Sequence, residues 1–111
     1  MNPKVRNAVT DFVKMVKEGD VASKIDFIRL YGSALGDEYK PEKSDVDLFI
    51  VSADKGVYER ILDYQNEVGL KYGIPLSIVF DTEDEFEKEM SYGSSFLKNV
   101  INSGELLYGR G

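Results

Sequence analysis

Along this chain the hydrophobic period switches repeatedly between that of a helix and that of a strand, and this alternation restricts its fold more than any other feature. From Pro3 to Glu18 the apolar positions are Val5, Ala8, Val9, Phe12, Val13 and Val16, the i, i+3, i+4, i+7 spacing of an amphipathic helix. Asn2 is placed to cap it, Pro3 suits its first position, and Gly19 stops it. Ile25–Tyr31 (IDFIRLY) then reads as a strand ending at Gly32. Asp37–Ser44 is a polar loop broken by Pro41, and Asp45–Ser52 (DVDLFIVS) is a second strand. Helical spacing returns over Val57–Tyr72 through Tyr58, Ile61, Leu62 and Val68, with Gly73 as its stop. Pro75 opens a third strand, Leu76–Phe80.

The tail from Glu83 to Asn102 reads as one or two helices with Phe86, Met90, Phe96, Leu97, Val100 and Ile101 inward, and Leu106–Tyr108 as a final edge strand. The acidic run Asp81–Glu89 fits a solvated helix start, with a basic partner surface as the sharper alternative. Strands separated by helical crossovers imply neighbouring parallel strands, so the expected class is α/β, a small sheet flanked by helices. At 111 residues the chain has room for one domain, 1–111.

Composition removes whole classes of chemistry. There is no cysteine and no histidine, which excludes disulfides, thiol nucleophiles, imidazole acid–base work and Cys/His zinc sites. Carboxylates, hydroxyls and amines remain. The net charge of −6 argues against autonomous nucleic-acid binding, which needs clustered Lys and Arg. With no membrane-span-length apolar run and no signal-peptide pattern, the expected location is the cytoplasm.

The chemically informative stretch runs from Leu30 to Val51. Gly32-Ser33 ends a strand abruptly, and a glycine there lets backbone approach a ligand closely. Ser33 is expected to cap a short following helix, which would offer N–H groups and a hydroxyl to a phosphate, and Gly36 to permit a second turn. In Asp45-Val46-Asp47 the two carboxylates share one face of a strand while Val46, Leu48 and Ile50 take the other. Two like charges so placed call for a cation between them, and hard oxygen ligands suit Mg²⁺ together with substrate phosphates. A phosphate cradle and a metal-binding pair on adjacent strands describe a nucleoside triphosphate site.

In these residues the chain resembles the minimal nucleotidyltransferases of the polymerase-β-type superfamily, over nearly its whole length. The signature stands as Leu30-Tyr31-Gly32-Ser33, then Ser44-Asp45-Val46-Asp47 after a polar loop, supported by Gly73-Ile74-Pro75 and by the run from Ser94-Ser95-Phe96 to Gly104-Glu105-Leu106-Leu107-Tyr108-Gly109. The resemblance implies a mixed, twisted, palm-like sheet flanked by helices. It implies transfer of a nucleoside monophosphate, AMP in the first instance, from ATP or another triphosphate to an acceptor hydroxyl with Mg²⁺ or Mn²⁺. On the matching positions Gly32 and Ser33, with Ser44 beside the motif, would bind the phosphates, and Asp45 and Asp47 the metal.

The family's third carboxylate is replaced here by Ser77 in Pro75-Leu76-Ser77-Ile78-Val79, and Asp81 lies too far along the strand to substitute. Arg29, Lys40 and Lys43 are the nearby cations available to a triphosphate. Members this short resemble antitoxins paired with a helical HEPN-type partner, whose tyrosine would be the acceptor. The rival is a catalytically weakened subunit of the same fold that neutralises its partner by contact alone. An enzyme for a small acceptor such as an aminoglycoside fits less well, since such enzymes need an added domain. The C-terminal apolar surface leaves room for a homo- or hetero-oligomer.

Overall fold

The structure is a computed structural model and describes residues 1–36, 39–40 and 44–110. Asn2 accepts hydrogen bonds from the Lys4 and Val5 amides, so α1 (Pro3–Glu18) begins where its first donors find an acceptor. β1 (Ile25–Tyr31) runs into a short 3₁₀ turn, Gly32–Leu35. β2 (Val46–Ser52) follows, then α2 (Tyr58–Tyr72), which stops at Gly73 with φ 65°. β3 (Leu76–Thr82), α3 (Glu83–Ser91), α4 (Ser95–Ser103) and β4 (Glu105–Gly109) complete the order. A capping box between Thr82 and Glu85 starts α3, and the Ser94 hydroxyl accepts from the Leu97 amide to start α4.

The four strands form one mixed sheet in the order β3-β2-β1-β4. Only β2 and β3, joined through α2, run parallel; β1 is antiparallel to both β2 and β4. The expectation of parallel neighbours therefore holds for the one adjacent pair that a helix connects. β1 passes to β2 through a loop, which permits an antiparallel return, and α3 and α4 carry the chain across to the opposite edge. The fold class is α+β: a small mixed sheet with helices on both faces.

The two faces divide the core. Val46, Leu48 and Ile50 join Ile28 and Leu30 under α1 and α2, against Val5, Val9, Phe12, Ile61 and Val68. The other face carries Phe27, Phe49 and Val51 under Leu97 and Val100, with Phe86 and Met90 packed against them. Alternation along β2 thus sends every second residue to a different pair of helices. Two tail expectations are corrected here. Phe96 is 42% exposed, not inward. Asp81 belongs to β3 and is 8% exposed, so it is not a solvated helix start. Among the described residues no helix is long and apolar enough to cross a membrane.

Candidate functional site

Strand register arranges the α3/α4 face as rows. Asp47 lies between Tyr31 of β1 and Ser77 of β3, Phe49 between Arg29 and Val79, and Val51 between Phe27 and Asp81. Phe86 packs on Phe27 and Phe49, and Phe96 on Tyr31 and Phe49, so the helices cover the second and third rows. Tyr31, Asp47 and Ser77 remain half-buried at the uncovered end.

Gly32 turns away from this row with φ 81°, a left-handed conformation that side chains avoid. An ideal Cβ there would overlap the Asp47 carboxylate oxygen. The turn and the acid are therefore in direct contact, and glycine is required twice over, by its dihedral and by the space. Asp45 is exposed just ahead of β2, one residue short of the strand start expected for it. Burial, and then the Asp45 charge, raise the Asp47 pKa above the usual carboxylate range. Asp47 in turn adds to the effect of burial in raising the Tyr31 phenol, and Asp45 does the same for Tyr39. Among the described residues no lysine or arginine is ion-paired with either acid. Two carboxylates near enough for the charge of one to act on the other form an oxygen donor set that fits a hard divalent ion.

Several expected roles change in detail. Ser33 does not cap the short turn: the cap position is Tyr31, and no side chain bonds to the turn's first amides. Ser33 lies inside the turn, its carbonyl accepting from the Gly36 amide. Gly36 is extended at φ −128°, so its turn makes no demand for glycine. The Ser44 hydroxyl accepts from the Lys40 amide at 3.2 Å and the Ser44 amide donates to the Lys40 carbonyl at 2.8 Å, which fixes Ser44 against Lys40 just ahead of Asp45. Arg29 donates from Nη1 to the Gly104 carbonyl at 3.2 Å. Lys43, Pro41 and Asp37 lie outside the described residues. Ser77 stands directly beside Asp47, and no described group of three acids could hold a metal.

Sequence reasoning missed two features of this face. Asp81 sits at its far end with Oδ2 buried and lacking a conventional donor. It faces Glu89; two ionised carboxylates there repel, whereas one shared proton makes a hydrogen bond. Burial first, then that bond and the charges of Glu89 and Glu85, push the Asp81 pKa up to about 7. The continuing alternation Ser77, Val79, Asp81 was the available signal. The second is the exposed pair Val79 and Phe96, either side of Phe49. A hollow of about 640 Å³ between α1 and β4, lined by Arg6, Val13, Lys14 and Leu107, lies elsewhere.

A mixed four-stranded sheet of this order, with a glycine turn against an acid at one end, has the layout of a nucleotidyltransferase domain. Residues 14–111 match the family model described as Polymerase beta, Nucleotidyltransferase, and the chain belongs to that family. A relative from Methanocaldococcus jannaschii, named "putative protein adenylyltransferase", is 31% identical over 101 residues, spanning 91% of this chain and 95% of the relative. The crystal structure of a "putative nucleotidyltransferase" from Sulfolobus solfataricus aligns with 99% of this chain and 91% of its own, at 21% identity and a TM-score of 0.43.

Proposed function

We propose that this chain binds a nucleoside triphosphate with a divalent ion and transfers the nucleoside monophosphate, AMP in the first instance, to a hydroxyl of a protein. The single observation that carries this reading is the Gly32 turn held against Asp47, because it puts a ligand-approachable backbone beside a metal-type acid. In the reaction an acceptor oxygen bonds to the α-phosphorus, the bond from that phosphorus to the bridging oxygen breaks, and pyrophosphate leaves with it. The hydroxyl proton passes to solvent water as the new bond forms. Gly32 and Ser33 hold the β- and γ-phosphates, with Ser44 positioning the loop that leads into Asp45. Asp45 and Asp47 hold Mg²⁺ or Mn²⁺. Bound there, such an ion polarises the phosphoryl oxygens and offsets the charge that gathers on them.

The Methanocaldococcus relative's name supports a protein acceptor, and the family resemblance suggests a tyrosine of a HEPN-type partner in the cytoplasm. Ser77 favours a second reading. A neutral hydroxyl beside Asp47 is a poor base, so the chain would bind the triphosphate and its partner while transferring little. One experiment separates the two. The protein is incubated with α-labelled ATP, Mg²⁺ and the product of a neighbouring gene, with Asp47→Asn as control. Label on that product, lost in the variant, supports transfer. Tight complex formation without label supports the binding subunit, and neither outcome rejects both.

A further inference from the structure

The row next to Tyr31, Asp47 and Ser77 sets Phe49 between Arg29 and Val79, with Phe96 of α4 packed on Phe49 and Tyr31, and it has no task in the transfer chemistry described above. Phe49 is its buried centre. Val79 on the β3 side is 37% exposed and Phe96 on the α4 side is 42% exposed, on a face whose other apolar side chains lie beneath α3 and α4. Phe96 stands nearly perpendicular to both rings it touches, at 85° to Tyr31 and 80° to Phe49, with centroid separations of 5.3 and 6.1 Å. Edge-to-face contacts of this kind fix the orientation of the ring, and its 42% exposure leaves part of it open to a ligand. An exposed aromatic held rigidly beside a phosphate-and-metal row is what a heterocyclic base needs for stacking, since every base presents a π-face.

We propose that Phe96, with Val79 opposite it, is the nucleoside-binding platform of this site, on which the base of the triphosphate lies while its phosphates reach the Gly32 turn. Tyr31 links the two halves, because its ring supports Phe96 while its strand register sets it beside Asp47. The inference rests on the triphosphate reading of Gly32 and Asp47 and adds to it the part that recognises the nucleoside.

The test compares two ligands in Mg²⁺ by calorimetry: ATP, which has a base, and inorganic tripolyphosphate, which has none. Phe96→Ala should weaken ATP about tenfold or more, the scale of base–aromatic stacking, and leave tripolyphosphate unchanged. Phe96→Trp should restore ATP binding. Asp47→Asn should weaken both ligands. ATP binding equal to the parent's in Phe96→Ala overturns the platform, and so does an equal loss of both ligands, which would make Phe96 merely structural. A parent that binds neither ligand overturns the triphosphate reading itself, and the platform falls with it.

Discussion

At the scale of single residues, Gly32 carries the sharpest constraint. Replacing it with alanine imposes a left-handed φ on a residue with a side chain, at about 1–2 kcal/mol, and drives the new methyl into Asp47. Gly32→Ala should therefore lower the melting temperature and displace the Asp47 carboxylate, weakening Mg²⁺–ATP by more than the loss of stability explains. Calorimetry showing unchanged ATP affinity would reduce the turn to a connector. The opposite experiment restores an acid. Ser77→Asp adds a third negative charge next to Asp47, whose pKa is already raised, so the metal-free variant should melt a few degrees lower. In Mg²⁺ the same side chain is a further ligand and a base for the acceptor hydroxyl, and transfer should rise. Robust transfer by the parent, unaltered in the variant, would show that the set is complete without position 77.

At the scale of elements, β3 and α3 form a pH-responsive pair. Asp81 carries a pKa of about 7 in the fold, raised from an ordinary 3.8. Between roughly pH 4 and 7 the folded chain holds a proton that the unfolded chain has lost, so stability falls as pH rises through that window. The burial penalty is fully present above pH 7. Asp81→Asn removes the ionisation and should raise the melting temperature at pH 8 while flattening the slope between pH 5 and 7. A slope unaltered in the variant would place the titration on some other group.

This element also shows where the sequence was hard to read. Strands and helices with strong periodicity, such as Pro3–Glu18 and Val57–Tyr72, were legible because one face of each is apolar. In the sequence β3 reads two residues short, since a charged Asp81 followed by five acids in the next eight positions resembles a helix start. Its burial depends on α3 folding back over it, a tertiary contact with no local signature. Phe96 was misplaced for a related reason. Leu97 and Val100 define the buried stripe of α4, and Phe96 sits at its margin, where spacing alone does not separate core from rim.

At the scale of the whole molecule, the acid pair and the glycine turn were legible as residues, but their contact was not. It depends on β1 and β2 running antiparallel, so that the end of one strand meets the start of the other. That arrangement predicts how the intact chain responds to ligand. A ligand of the native state stabilises it by about 2.7 kcal/mol at a hundredfold excess over its dissociation constant. Mg²⁺ and ATP together should therefore raise the melting temperature by several degrees, and by more than either alone. The double change Asp45→Asn, Asp47→Asn should abolish this increment. It should also leave the ligand-free protein no less stable, because repulsion between the acids has gone. A shift that survives the double change would move the binding site elsewhere.

β3 occupies one margin of the sheet, and Ser77 is the outermost position of the row that holds Asp47. Among the described strands nothing stands beyond it. On the proposed reading, the end of the face that holds Asp47 is therefore a doorway with no jamb among the described strands on that side. A folded protein acceptor would slide a single protruding hydroxyl in along the sheet edge, supplying from its own surface the wall that the described strands lack. On the proposed transfer reading, selectivity for the acceptor then resides in how two surfaces fit, beside the row that holds Asp47.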